Sequence, residues 1–169
     1  MTMIEMLLAE VEREAERSKR ALEQVPDGRY DWKPHERSMI FGYVALMVAQ
    51  IPSWVAMIVT QDELDLAPKD GPKHKPEQLR TSGELLKALD VAVTQAREAL
   101  RGTTEAHLMT SWRLLVGGKT VLEIARHVMI RETLSHLAHH RGQMTVYLRL
   151  MGAKVPALYG PSADDSRYD

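Results

Sequence analysis

The run TVLEIARHVMIRETLSHLAHHRGQMTVYLRLMG, residues 120–152, decides the fold. Thr120 and Glu123 match a capping box and predict the start of a long helix, which ends at Met151 because Gly152 follows. At about 100° per residue, one stripe of this helix combines apolar side chains with histidines and is predicted to face the core. Its members are Leu122, Ala125, Met129, His136, His140, Gln143, Tyr147 and Met151.

Three further segments repeat apolar residues at the helical spacing. Ser38 is predicted to cap the second helix, Pro52 to kink it because proline has no amide hydrogen, and a Thr81–Glu84 capping box to begin the third. The sequence therefore predicts an all-α fold, a four-helix bundle in one domain that spans residues 1–169. The four helices are predicted at about 4–22, 39–60, 81–101 and 120–151.

Loops are predicted between the helices. The segment from Asp62 to Arg80 is rich in proline and charge, which is typical of a connecting loop. A second loop holds Trp112 and the pair Gly117-Gly118.

Composition restricts the function classes. The chain has 22 Lys and Arg against 23 Asp and Glu, a net charge of -1, so no basic excess indicates a nucleic-acid partner. There is no cysteine, which excludes disulfides and thiolate ligands. The first 20 residues mix charges into the apolar ones, and no apolar run approaches the roughly 20 residues of a membrane span. We expect a cytoplasmic protein without a membrane segment.

The paired histidines of the last helix carry the strongest functional signal. His136 and His140 are four residues apart, which places their Cβ atoms about 5 to 6 Å from each other, so both rings can bind one ion. In helical bundles such ligands come from facing helices, and further ligands are expected from a different helix. The alternative is that hydrogen bonds to Glu132, Gln143 or a backbone carbonyl satisfy both imidazoles.

The other histidines have weaker claims. His139 is turned away from the stripe and is expected beside the metal ligands or at the surface, and His127 lies on the opposite side of the helix. His35, His74 and His107 fall in predicted loops, where no functional role is expected.

Three stretches resemble the DinB-like family. They are SHLAHHRGQMTVYLR at 135–149, VPALYGPSAD at 155–164 and DWKPHERSM at 31–39. The resemblance implies an up-down-down-up bundle with a long crossover, commonly a homodimer. It also implies a divalent metal, nickel or zinc, held by three histidines at the mouth of a cavity.

Two of those three ligands match residues of this chain. The resemblance assigns them to His136 and His140, and it takes the third from helix two, seven residues before the tryptophan of the run MVAQIPSW at 47–54. That position is Met47, whose thioether is a weak, soft ligand. Three alternatives follow: a site completed by water with Gln50, Glu132 or Gln143, a soft-metal site that uses the Met47 sulfur, or an empty cavity packed by Met47.

Two functions are considered, the first implied by the resemblance and the second favoured by the missing third histidine. One is a metal-dependent thiol transferase or hydrolase-like enzyme, in which the ion lowers the pKa of a bound thiol or water. The other is a bundle without catalysis that binds a small ligand or serves a stress-linked role. Arg141 is predicted either to meet a substrate carboxylate or to form a structural ion pair. The residues predicted to line the cavity are Gln50, Trp54, Trp112, Glu132, Gln143 and Tyr147.

Overall fold

The structure is a computed structural model that describes residues 1–69 and 77–168. His74 and the centre of the predicted proline-rich loop lie outside the described residues. In chain order the elements are α1 (Met3–Leu22), α2 (Phe41–Gln50), α3 (Pro52–Thr60), β1 (Glu63–Asp65), α4 (Ser82–Arg101), α5 (Glu105–Leu108), β2 (Ser111–Val116), β3 (Lys119–Ala125) and α6 (Arg126–Leu150).

The helices α1 and α4 begin with the caps that their sequences specify. Thr2 and Glu5 form a complete capping box at α1, and Thr81 and Glu84 form one at α4. In each box the threonine hydroxyl accepts from a backbone amide while the glutamate accepts from the cap residue's own amide. Both helices bury one apolar face, and α4 packs against α1 and α3.

The predicted second helix is two helices. Pro52 is the first residue of α3, and the axes of α2 and α3 differ by 49°. Proline cannot donate the amide hydrogen that would continue the helix, but it suits a first turn, so the chain bends at this residue. Ser38 is not the cap: α2 begins at Phe41 after Ile40, which has no side-chain cap.

Among the residues that the structure describes, no single helix is both long and apolar enough to cross a membrane. The bent pair α2 and α3 is long and apolar enough only when both helices are counted together, a statement about length and composition alone.

A three-stranded sheet corrects the all-α prediction. Strand β2 pairs with β1 in parallel and with β3 antiparallel. Gly117 and Gly118 form the turn between β2 and β3 at φ +60° and +80°, angles that glycine adopts without strain. The segment predicted as a loop with Trp112 is therefore a hairpin.

The start of the last helix was also predicted wrongly. Thr120 and Glu123 lie in β3 rather than in a capping box, and α6 begins at Arg126. Leu122 pairs with Leu114 in the sheet and is 36% exposed, so it does not belong to a helical core stripe. The β-branched and leucine side chains of the hairpin lie on a half-exposed sheet surface, which suits these residue types. The backbone hydrogen bonds of β3 are satisfied by pairing with β2.

Arg126 connects this sheet to the helices and sets the start of α6. It is 2% exposed, and its guanidinium donates to the carbonyl oxygens of Ile58 and, at 2.5 Å, Gln61 near the end of α3. It also donates to Asp62 at 2.5 Å and to the Thr110 hydroxyl at 3.0 Å. These bonds satisfy carbonyls that a helix end leaves free, and they hold α6 against α3.

Candidate functional site

The two histidines of α6 converge as their spacing predicts. The Nε2 atoms of His136 and His140 are 2.9 Å apart, and their ring centroids are 4.7 Å apart. His140 is only 5% exposed, whereas His136 is exposed. The pair thus has one buried and one accessible imidazole, and their Nε2 atoms lie next to each other.

A line of polar side chains continues from His140 along the same face of α6. Its Nδ1 lies 3.1 Å from Oε1 of Gln143, and Nε2 of Gln143 donates to the hydroxyl of Tyr147 over 3.2 Å. Tyr147 is 5% exposed, and its ring packs edge-on against Trp32 with centroids 5.5 Å apart. The relay of side chains therefore ends in an aromatic contact with the segment that precedes α2.

The facing wall of the site comes from the bent pair α2 and α3. Trp54 of α3 packs edge-on against His136, with ring centroids 5.4 Å apart. Met47 lies seven residues earlier in α2, is half-buried and packs against the hydrophobic core. The resemblance takes metal ligands from helix two and from the last helix. The corresponding elements are neighbours in the fold, because α6 packs along both α2 and α3.

The histidines of the pair are poor bases. Partial desolvation by neighbouring side chains lowers the pKa of His136 below its usual value, and the nearby charges of His140 and His139 lower it further. Burial likewise lowers the pKa of His140, against the hydrogen bond to Gln143, which acts in the opposite direction. Both imidazoles are therefore neutral at pH 7, the state in which a ring nitrogen can bind a metal.

The pair fits two ligands of one ion but not a complete site. At metal–nitrogen distances of about 2.0 to 2.1 Å, neighbouring ligand atoms lie about 2.9 to 3.4 Å apart, and the two Nε2 atoms are 2.9 Å apart. Within residues 1–69 and 77–168, no group of three or more His, Cys, Asp or Glu side chains is arranged to hold a metal. The donor set is two neutral imidazoles, with a methionine where the resemblance places a third.

The remaining predicted residues divide between neighbours of the pair and residues elsewhere. His139 is exposed, with its ring 5.1 Å from that of His140, and Glu132 is exposed without a hydrogen bond to either histidine of the pair. Gln50 lines a cleft of about 450 Å³ beside α4, where its amide donates to Glu77 over 3.0 Å. Trp112 is buried in β2, opposite Ile124.

Arg141 lies in a buried cluster of its own. Its side chain is fully buried and donates to the Glu14 carboxylate at 2.5 Å, the Glu14 carbonyl at 3.1 Å and the Ser18 hydroxyl at 3.1 Å. It also donates to the hydroxyl of Tyr159. These contacts are those of a structural ion pair, the second of the two roles predicted for this residue.

Sequence reasoning missed several partners in these two regions. Trp32 had a signal, because it belongs to the DWKPHERSM stretch that carries the resemblance. Glu14 and Ser18 had a weaker one, since both are polar residues on the buried face of α1. Nothing local to Tyr159 indicates that its hydroxyl meets Arg141.

Two solved structures have the same fold. A DinB-like protein from Bacillus cereus ATCC 10987 superposes with a TM-score of 0.70 at 21% identity, covering 92% of this chain and 97% of that one. The DinB-like protein YjoA from Bacillus subtilis superposes with a TM-score of 0.67 at 17% identity, covering 96% and 99%. At these identities the similarity establishes the fold.

Sequence comparison identifies the family. The uncharacterized protein YrdA of Bacillus subtilis strain 168 is 50% identical over 32 residues, and the match spans 19% of each chain, about a fifth of that relative's length. The family model described as DinB family matches residues 1–169. This chain therefore belongs to the DinB family.

Proposed function

We propose that this DinB-family protein binds a divalent metal ion, nickel or zinc, through the Nε2 atoms of His136 and His140. Water, a thiol or a small ligand completes the coordination. The observation that supports this proposal is the 2.9 Å separation of the two Nε2 atoms, which is close to the separation of neighbouring ligand atoms around one ion.

The surroundings of the pair suit a site with open positions. The lowered pKa values keep both imidazoles neutral, and His136 is exposed, so a solvent-borne ligand can reach the pair. Such an ion, when bound, lowers the pKa of a coordinated water or thiol, which is the chemistry of a hydrolase-like enzyme or a thiol transferase. The Trp54 ring restricts access to one side of His136.

Met47 supports a second candidate function, small-ligand binding without catalysis. A site with two histidine ligands and a thioether binds hard or borderline ions weakly. The polar relay of His140, Gln143 and Tyr147 would then bind a ligand through hydrogen bonds alone.

Metal content separates the two candidates. Tag-free protein is analysed by plasma mass spectrometry as purified and is then titrated with Ni²⁺ and Zn²⁺ by calorimetry after chelation. We expect the titration to show saturable binding of one ion per chain, which the double substitution His136→Ala, His140→Ala abolishes. His35→Ala, which changes an exposed histidine in the segment before α2, is the matched control and should bind as the parent does.

Equal binding by the parent and the double variant would refute the metal site. If the parent binds neither ion, ligand binding without a metal becomes the better function. Where the parent does bind, thiol-transfer and ester-hydrolysis assays of loaded parent and double variant decide whether the site is catalytic.

A further inference from the structure

Gln143 lies between His140 and Tyr147 on one face of α6. Its amide oxygen faces Nδ1 of His140 at 3.1 Å, while its amide nitrogen donates to the Tyr147 hydroxyl over 3.2 Å. Residues three and four apart on a helix lie on one face, so α6 alone brings these three side chains into line. The amide is therefore anchored at both of its ends.

The amide oxygen determines where His140 carries its proton. An amide oxygen only accepts hydrogen bonds, so the nitrogen that faces it must donate. A neutral imidazole has one N–H, and placing it on Nδ1 leaves the lone pair on Nε2. That lone pair points at Nε2 of His136, 2.9 Å away, which then donates to it in the metal-free protein.

The Tyr147 hydroxyl holds the Gln143 amide in position. Tyr147 is 5% exposed, and Trp32 packs against its ring at 5.5 Å, so the hydroxyl has a fixed position. In the structure this hydroxyl accepts from the amide nitrogen of Gln143, and the amide oxygen therefore faces His140. Metal-binding histidines in proteins are commonly oriented by such a partner on the other ring nitrogen.

We propose that Gln143 is a positioning residue which, held by Tyr147, keeps His140 in the Nδ1–H tautomer and so presents its Nε2 lone pair to the metal. The metal part of this inference rests on the proposed function. The tautomer part concerns the metal-free protein and is tested there.

The first test is a long-range ¹H–¹⁵N spectrum of metal-free protein labelled with ¹⁵N-histidine at about pH 7.5, where the pair is neutral. His140 is assigned by its loss in His140→Asn. We expect the Nδ1–H tautomer in the parent and substantial Nε2–H tautomer in Gln143→Leu. Gln143→Glu keeps an acceptor at the same place and should retain Nδ1–H, which makes it the rescue variant.

Two further variants complete the series. Tyr147→Phe keeps the ring against Trp32 but removes the acceptor of the Gln143 amide, so it should give a partial change of tautomer. Gln95→Leu makes the same chemical change on the exposed face of α4 and should leave the His140 spectrum unaltered. Calorimetry with Zn²⁺ should show about a 10- to 100-fold loss of affinity in Gln143→Leu and none in Gln95→Leu.

The proposal is overturned if parent His140 carries its proton on Nε2, as it would with the Gln143 amide reversed, or if Gln143→Leu leaves the tautomer unchanged. If the parent binds no Zn²⁺, the proposed function fails while the spectra still decide the tautomer. If the parent binds Zn²⁺ and Gln143→Leu binds it equally, the positioning role fails while the metal site stands.

Discussion

Helix α6 carries two polar clusters that differ in how their hydrogen bonds are satisfied. The closed cluster consists of Arg141, Glu14, Ser18 and Tyr159. The open cluster consists of His136, His140, Gln143 and Tyr147. In the closed cluster, the partners of Arg141 come from α1 and from the segment after α6, and Arg141 is fully buried. In the open cluster, every member belongs to α6 and His136 is exposed.

This difference indicates that one helix carries a cluster that stabilises the fold and a second cluster that is available for binding. The closed cluster pairs a buried cation with a carboxylate and joins three parts of the chain, so its removal should affect folding. The open cluster holds neutral groups that need no counter-charge, and its two Nε2 atoms converge beside the exposed His136, where a ligand can bind. We therefore expect substitutions in the closed cluster to change stability and those in the open cluster to change binding.

The largest expected effect comes from the closed cluster. Arg141→Met removes the cation and leaves the Glu14 carboxylate, itself 9% exposed, with Arg17 at 2.6 Å as its remaining ion-pair partner. Breaking a buried pair from one side costs about 3 to 5 kcal/mol, and because Arg17 still pairs with Glu14 we expect a loss near the lower end of that range. Urea denaturation would measure it as a lower free energy of unfolding. The matched control is Arg113→Met at the exposed Arg113–Glu63 pair, where the loss should be about 0 to 1 kcal/mol. Equal losses in the two variants would contradict a structural role for the closed cluster.

The next effect is a gain in the open cluster. Met47→His supplies the imidazole that the resemblance places on helix two, and a third nitrogen ligand should raise Zn²⁺ or Ni²⁺ affinity by about 100-fold or more, ~3 kcal/mol. Calorimetry on chelated protein measures it. Met39→His adds a histidine at another half-buried methionine, before α2, and should give no gain. An unchanged affinity in Met47→His would mean that position 47 does not face the pair.

A third effect links the open cluster to pH. Histidine in the unfolded chain titrates near pH 6.5, whereas desolvation in the folded protein lowers the pKa of both His136 and His140. Between these values the unfolded state binds more protons, so the metal-free protein should lose stability as pH falls from about 7 through 6.5 and below.

Denaturation midpoints at about pH 7.5, 6.5 and 5.5 test this dependence in the parent and in His136→Asn, His140→Asn. The double variant should lose this part of the pH dependence and flatten the curve. A parent and a double variant with parallel profiles would show that the pair does not control acid sensitivity.

Local periodicity explains why the open cluster was predictable. His136, His140, Gln143 and Tyr147 were placed on one stripe from sequence, because helical geometry alone sets neighbours three and four residues apart. The contacts of Arg141 with Glu14 join residues 127 positions apart, and no local pattern specifies them. Among the long-range partners of the site, Trp54 was predicted only through the resemblance, and Trp32 was not predicted. Their contacts with α6 depend on how the chain before α2 and the bent pair α2 and α3 pack along it.

The sheet was missed for a related reason. A Thr-x-x-Glu pattern suits a helix start, but at 120–123 the Gly117-Gly118 turn before it favours a hairpin, and strand pairing prevails. The parallel partner β1 lies about 50 residues earlier, at Glu63–Asp65, in a segment whose prolines indicate only a loop. Capping patterns are short and compatible with several structures, so pairing across the chain decides between them.

The smallest expected effect distinguishes the edge of the closed cluster from its centre. The Tyr159 hydroxyl accepts from Arg141 and lies 3.4 Å from the Glu14 carboxylate, but the residue is 62% exposed. Tyr159→Phe removes the hydrogen bond from Arg141 and the long one to Glu14, while Arg141 keeps Glu14 and Ser18. Because water can replace part of what is lost, the free energy of unfolding should fall by about 0.5 to 1.5 kcal/mol. Tyr168→Phe, at a tyrosine that is 81% exposed, is the matched control and should have no effect. A loss as large as that of Arg141→Met would place Tyr159 at the centre of the closed cluster, since it would mean that Glu14 and Ser18 cannot hold Arg141 without the hydroxyl.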